Sequence, residues 1–168
     1  MAEDLRGRLD DLGSSHELRV LPADRYADFR PAGEGGMGLV YWAIDTDLNR
    51  EVAFKVIRSD AVEGASTRAP ARPTELKPPE KGTDASRSFR TSTQRFLQEA
   101  WITSGMAHPG IVPVYELGKT PEGVPYYTMR FIRGERTLAT ALEEAKGRHL
   151  DERLALLERF LKVCDLSL

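Results

Sequence analysis

The chain contains 168 residues, of which 40% are hydrophobic and 30% are charged, and its formal net charge is -2. This length suffices for one domain with a sizeable core, and the near-neutral charge excludes the overall basic bias of many nucleic-acid and membrane-surface proteins. Cys164 is the only cysteine, which excludes an internal disulfide and a cysteine-based metal cluster and fits a reducing compartment.

The sequence contains no recognisable targeting or membrane segment. No apolar run approaches the roughly 18 residues of a membrane helix, and residues 1–13 lack the apolar core of a signal peptide. We therefore expect a cytoplasmic protein without a membrane segment or a nucleic-acid partner. Residues 1–24 are predicted to be an N-terminal extension. Leu5, Leu9 and Leu12 have helical spacing and allow a short amphipathic helix, but the charged composition favours a frayed, solvated segment.

A glycine-rich turn follows the first predicted strand, which begins near Tyr26. Gly33, Gly35 and Gly38 have the spacing GxGxxG. A Walker A loop is excluded because no Lys-Ser or Lys-Thr pair follows the last glycine. A dinucleotide-binding fingerprint needs a helix at the third glycine, whereas the next residues, LVYWAI, are β-branched or aromatic and predict a strand.

A second turn and a third strand complete this pattern. Residues 45–50 are typical of a turn, and the apolar residues 52–54 lead directly into Lys55. The order of strand, glycine turn, strand, turn and strand ending in lysine resembles that of protein kinases, in which the glycine loop covers the ATP phosphates. Glycines allow close backbone approach to phosphate, and a buried lysine stem requires an anionic partner for its ammonium group. The alternative is a flexible hairpin followed by a solvated lysine.

The chain changes character after the third strand. Residues 59–93 are rich in Pro, Ala, Ser, Thr and charge, and we predict a disordered or loosely attached insertion. A helix is predicted from Gln94 to Met106, with Phe96, Ala100 and Thr103 on one face. Glu99 borders that face and is the natural partner of Lys55, although a solvated surface glutamate is the alternative.

Two further strands and two helices are predicted beyond this helix. The strands lie within 108–117 and 126–132, joined by a turn at 121–123. Helices are predicted at 138–145 and 150–168, the second because leucines and Cys164 recur every three or four residues after Asp151 and Glu152.

Five blocks in register resemble one family. GEGGMGLVYWA, EVAFKVI, RFLQEA, HPGIVPVYELG and PYYTMRFIRGERTL occur in this order and are similar to the N-terminal lobe of serine/threonine protein kinases, particularly the eukaryotic-like kinases of bacteria. The resemblance implies an α+β fold: a twisted, antiparallel, five-stranded sheet with helix αC in an N-lobe at 25–133, followed at 134–168 by αD and the start of αE from the helical lobe.

The resemblance also implies roles for individual residues. Lys55 would hold the α- and β-phosphates of ATP and pair with Glu99 of αC. Val40 and Ala53 would cover the adenine ring, and Met129 corresponds to the gatekeeper. Three positions depart from the common family pattern: Ala32, where a larger aliphatic residue is usual, the VAFK form of the lysine strand, and Arg130, where an acidic residue is frequent. The complete nucleotide-binding set would be Ala32, Gly33, Glu34, Gly35, Gly36, Met37, Gly38, Val40, Ala53, Lys55, Met129, Arg130, Phe131 and Ile132.

The family's catalytic motifs are absent from this sequence. Kinases use an HRDxxxxN loop and a DFG motif to supply the catalytic aspartate and the magnesium ligands. His149 is followed by Leu-Asp-Glu, and Asp165 by Leu-Ser. We therefore expect this chain to present half of an ATP site, with at most weak stabilisation by ATP and no phosphoryl transfer by the chain alone, as the partial domain of a kinase whose catalytic lobe is missing. The alternative is a non-catalytic, kinase-like module that binds a nucleotide weakly or docks to a partner kinase.

Overall fold

The computed structural model describes residues 18–35, 38–57, 70–106, 108, 110–134, 137–146, 154 and 158. The chain divides into two compact units. Among the described residues, the first unit contains 18–106 and 112–131, and the second contains 108, 110, 111 and the residues from Ile132 onward.

The first unit is a five-stranded antiparallel sheet with one long helix. The strands are β1 (Tyr26–Gly35), β2 (Gly38–Asp45), β3 (Arg50–Ile57), β4 (Val114–Lys119) and β5 (Pro125–Arg130). Their spatial order is β1-β2-β3-β5-β4, so β3 is central and β5 lies beside it. Helix α1 (Asp84–Ser104) contacts β3, β4 and β5. The predicted α+β class and antiparallel five-stranded sheet are confirmed.

Successive residues of a strand point to opposite faces of the sheet, and this alternation separates two environments. Phe54 pairs with Tyr41 and Thr128, whereas the next residue, Lys55, pairs with Val40 and Tyr127. We call the first side the aromatic face and the second the Lys55 face.

The aromatic face carries a cluster of packed rings. Phe54 stacks on Tyr126 with the ring centroids 4.4 Å apart, and the other rings meet it or its neighbours edge-on. Offset and edge-to-face contacts are the favoured arrangements of aromatic pairs. The cluster consists of Tyr26, Phe29, Tyr41, Phe54 and Tyr126.

The turn between β2 and β3 is closed by a buried carboxylate. Asp45 is fully buried, and its carboxylate pairs with Arg25 at 2.9 Å and with Arg50 at 3.1 Å. It also accepts a hydrogen bond from the Leu48 backbone N–H at 3.2 Å. Asn49 adopts the left-handed conformation that this residue type tolerates in turns. Every oxygen of the buried carboxylate therefore has a partner, as burial of a charge requires.

Residues 18–24, the described part of the extension predicted for 1–24, are attached to the sheet and are not frayed. Residues 18–24 are described, and Leu21 is buried in the core cluster. Its N–H donates to the Lys119 carbonyl at 2.8 Å, while the Lys119 N–H donates to the Arg19 carbonyl at 2.9 Å. A Cβ at Gly118 would lie 2.8 Å from the Arg19 carbonyl oxygen, so the small residue in β4 permits this close approach. The helix considered for residues 5–12 lies outside the described residues.

The disorder or loose attachment predicted for 59–93 is wrong for the residues of this segment that the structure describes, 70–93. Residues 58–69 lie outside the described part, but Pro73–Glu75 form a short 3₁₀ helix in which Pro73 is buried. The Tyr41 hydroxyl on the aromatic face donates to the Pro70 carbonyl at 3.1 Å. Helix α1 then begins at Asp84, ten residues before the predicted Gln94, because the Thr83 side chain caps it by accepting from the Ser86 N–H at 3.1 Å. The low apolar content of 84–93 reflects the exposure of this half of the helix.

The second unit contains helix α2 (Leu138–Ala145), which confirms the helix predicted there. Its N-terminus is capped by the Thr137 side chain, which accepts from the Thr140 N–H at 3.1 Å. Of the helix predicted at 150–168, only residues 154 and 158 are described, and both are helical. A search of the described residues for a helix of sufficient length and hydropathy to cross a bilayer finds none.

We predict that Asp45→Ala lowers the free energy of unfolding by about 3 kcal/mol, because it leaves the guanidinium groups of Arg25 and Arg50 without their buried partner. Urea denaturation followed by tryptophan fluorescence measures this change. Asp47→Ala is the matched control: this carboxylate also pairs with Arg25, but its side chain is 68% exposed, so we expect a loss below about 1 kcal/mol. Equal losses for the two variants would contradict the assigned role of the buried carboxylate.

We also predict that the protein loses stability between pH 10 and 12. Burial raises the pKa of Tyr26 to about 12, with a further contribution from its hydrogen bond to Glu116, and burial raises the pKa of Tyr41 to about 12. Since both phenols ionise near pH 10 in the unfolded chain, their stabilising contribution is complete well below pH 10, begins to fall as pH approaches 10 and is lost as pH rises toward 12. Urea midpoints measured at pH 8, 10 and 11 should fall slightly in the first step and more in the second, and a constant midpoint would contradict this prediction.

Candidate nucleotide-binding site

Lys55 lies near the end of the central strand, in a row of residues that crosses three strands. It pairs with Val40 on β2 and with Tyr127 on β5. The next row consists of Trp42, Ala53 and Met129. Because directly opposed residues in an antiparallel sheet share a face, the sequence brings both rows to the Lys55 face.

Helix α1 packs on this face through two buried residues. Phe96 and Ala100 are buried, and the Phe96 ring contacts the Tyr127 ring with centroids 5.0 Å apart. They are four positions apart and thus lie on the same side of the helix. This confirms the predicted apolar face of the helix and directs Glu99, which precedes Ala100, toward the sheet.

Lys55 and Glu99 form the predicted ion pair. The Lys55 Nζ lies 2.8 Å from Glu99 Oε1, and the side chains are 13% and 31% exposed. Burial on its own lowers the pKa of Lys55, but the hydrogen bonds to Glu99 and Tyr127 and the attraction of both groups outweigh it and raise the pKa above 10.5. The ammonium group therefore stays charged at neutral pH, as the binding of an anionic ligand requires.

Tyr127 is a third member of this group that the sequence analysis did not identify. Its hydroxyl donates to Glu99 Oε1 at 2.9 Å, and the Lys55 Nζ lies 5.3 Å from its ring centroid. Burial raises the pKa of Tyr127, although the nearby Lys55 opposes the shift. The signal available in the sequence was the alternation of β5, which places this tyrosine on the face of Met129, two residues later.

The described glycines of the turn lie at the paired ends of β1 and β2. Gly33 pairs with Val40, and Gly35 pairs with Gly38. A Cβ at Gly38 would lie 2.4 Å from the Val56 carbonyl oxygen, whereas a Cβ at Gly33 would meet nothing within 4 Å. Gly38 thus permits close packing of β2 against β3, and Gly33 faces open space. Gly36 and Met37 lie outside the described residues.

The other predicted site residues lie in β1, at the end of β5 and at the start of the second unit. Ala32 and Glu34 belong to β1 and are exposed. Arg130 ends β5 and donates its N–H to the Pro113 carbonyl at 3.2 Å. Phe131 ends the first unit, whereas Ile132 belongs to the second unit and is exposed. Val40, Ala53, Lys55 and Met129, with Gly33 opposite Val40, are therefore predicted residues that the sheet itself brings together.

The sheet, its long helix and the partly buried lysine–glutamate pair place this chain in the α+β class, and a solved structure has a similar fold. A solved structure described as "PpkA-294 apo form" is similar with a TM-score of 0.56 and 24% sequence identity, over 81% of this chain and 44% of that chain. At this identity the similarity establishes the fold alone.

Sequence comparison identifies the family. The chain is 31% identical over 152 residues to the serine/threonine-protein kinase PknD of Protochlamydia amoebophila, and 35% identical over 149 residues to PknD of Chlamydia pneumoniae. These matches cover 86% and 84% of this chain and 13% of each relative. No family model matches. The chain belongs to the serine/threonine protein kinase family and corresponds to a small part of the length of these relatives.

We predict that Gly38→Ala destabilises the sheet and Gly33→Ala does not. The added methyl group at residue 38 would overlap the β3 backbone beside Lys55 and cost about 2 kcal/mol of unfolding free energy, whereas residue 33 offers open space and should change it by less than about 0.5 kcal/mol. Urea denaturation of both variants measures the difference. Equal stability of the two would contradict the close approach at Gly38.

Proposed function

We propose that this chain is the ATP-binding N-lobe portion of a serine/threonine protein kinase. In this proposal the Lys55 ammonium binds the α- and β-phosphates, Glu99 orients that ammonium, and helix α1 is the αC helix of the family. The observation that carries the proposal is the ion pair itself: a largely buried lysine lies 2.8 Å from a glutamate on the helix packed against its strand.

The rest of the Lys55 face supports a nucleotide as the ligand. In the proposal, Val40 and Ala53 contact adenine, Met129 is the gatekeeper, and the backbone of 130–132 forms hydrogen bonds with the base. The backbone N–H groups of the glycine turn approach the phosphates. Of the members with described side chains, Val40 and Met129 are partly exposed, which leaves apolar surface available beside the lysine.

The chemical step is not part of the proposed activity of this chain. Phosphoryl transfer in kinases needs a residue that orients the nucleophile and magnesium ions that neutralise phosphate charge. The sequence has no HRDxxxxN or DFG motif. Phosphorylation of protein serine or threonine is thus proposed for the kinase of which this segment is a part. ATP as the ligand and a cytoplasmic location are part of this proposal.

We predict that ATP stabilises the chain and that Lys55→Met abolishes most of this effect. A ligand that binds only the folded state stabilises it by RT ln(1 + [L]/Kd), and loss of a charged hydrogen-bond donor to phosphate should weaken binding about tenfold or more. Thermal unfolding with and without ATP, each variant compared with its own ligand-free form, measures both quantities. The same samples, given Mg-ATP and a generic protein substrate, should transfer no phosphate.

Lys77→Met is the matched control for charge, because this lysine is exposed on the segment before α1 and lies outside the proposed site. It should leave the ATP-dependent shift unchanged. A shift equal in wild type, Lys55→Met and Lys77→Met would indicate nonspecific binding and contradict the proposed site. Phosphate transfer that depends on Lys55 would instead contradict the assignment of this chain as a binding portion only.

A further inference from the structure

We propose that Tyr127 is a positioning residue that holds Glu99, and with it helix α1, in place when Lys55 engages a ligand. The part of this inference that concerns binding of phosphate by Lys55 rests on the proposed function. The other part, that the tyrosine hydroxyl holds Glu99, rests on the geometry of the chain without a ligand.

The two donors converge on one oxygen of Glu99. The Lys55 Nζ lies 2.8 Å and the Tyr127 hydroxyl 2.9 Å from Oε1. The other oxygen, Oε2, is buried and has no hydrogen-bond partner within the described part of the chain. Lys55 and Tyr127 are thus the donors that compensate the burial of this carboxylate.

This arrangement has a consequence for ligand binding. A lysine side chain has several rotatable bonds and one compact charge, so its ammonium can shift toward an incoming phosphate. The phenol is rigid beyond two torsions, and its ring packs against Phe96 of the same helix. When Lys55 shares its hydrogen bonds with phosphate, the Tyr127 hydroxyl continues to hold Oε1. The carboxylate therefore does not need to move with the ammonium group.

The neighbouring residue supplies a matched control. Tyr126 precedes Tyr127 in β5, is fully buried, and points to the aromatic face, where its hydroxyl donates to Glu116 at 3.5 Å. Tyr126→Phe and Tyr127→Phe each remove one buried phenol oxygen from the same strand. Only the second removes a donor to Glu99.

The first experiment measures hydrogen exchange of the α1 amides at 96–104 in the full chain without nucleotide. Tyr127→Phe should accelerate exchange about threefold. The double variant Tyr127→Phe/Lys55→Met should exchange at least about tenfold faster than the product of the two single accelerations predicts, because Glu99 then lacks both donors. A role in packing alone gives the same tyrosine effect in both backgrounds. Tyr126→Phe should leave exchange at 96–104 unchanged with or without Lys55→Met.

A conservative substitution of Lys55 allows the same test if the double variant with Lys55→Met does not fold. Lys55→Arg retains a cationic donor near Glu99. Adding Tyr127→Phe to Lys55→Arg should therefore accelerate exchange at 96–104 about threefold, as it does in the wild-type chain. Equal exchange at 96–104 for Tyr126→Phe and Tyr127→Phe in wild-type and Lys55→Arg backgrounds would overturn the inference.

The second experiment measures ATP affinity by titration calorimetry. Tyr127→Phe should weaken binding about threefold to tenfold, and Tyr126→Phe should not. If wild type binds no ATP, the proposed function fails, and the exchange data still decide whether Tyr127 anchors Glu99. If wild type binds ATP and Tyr127→Phe binds it equally well, the proposed function stands and the positioning role under ligand is overturned.

Discussion

The structure depends on the strict alternation of side chains along its two central strands. In β3, Phe54 enters the aromatic cluster while Lys55 faces the helix, and in β5 Tyr126 and Tyr127 divide in the same way. A one-residue shift in register would exchange these faces, placing the lysine among the aromatic rings without a carboxylate. Because burial of an unpaired charge is costly, the packing of the core and the position of the site enforce the same register.

The Lys55–Glu99 pair is better understood as a determinant of geometry than as a source of stability. Desolvation offsets much of the attraction in a buried ion pair, whereas removal of one partner leaves an unpaired charge. The pair is formed only when α1 lies against β3 and β5 at the right position, so it favours this arrangement over other packings of Phe96 and Ala100. Tyr127 adds a neutral donor to the same oxygen and makes the position of Glu99 less dependent on the lysine alone.

Much of this arrangement follows from residue pattern, and the remainder depends on tertiary contacts. The strands and the lysine that ends β3 were predicted because β-branched and aromatic runs, turn residues and glycine spacing are local signals. The pairing of this lysine with Glu99 was predicted from the place of Glu99 beside the apolar face of its helix and from the family resemblance, because a contact between residues so far apart has no local signal. Residues 84–93 were assigned wrongly because their polar residues, which suit a solvated helix, also resemble a disordered segment. The sheet contacts of Arg19 and Leu21 and the hydroxyl bond of Tyr127 were missed because each needs the register of a strand distant in sequence.

The segment before α1 links the two faces of the sheet. At one end, the Pro70 carbonyl accepts from Tyr41 on the aromatic face and Pro73 is buried. At the other, the Thr83 cap starts the helix whose Glu99 meets Lys55 on the opposite face. Phe96 and Ala100 pack this helix against the sheet. The position of Glu99 is thus set jointly by its own hydrogen bonds to Lys55 and Tyr127 and by this packing.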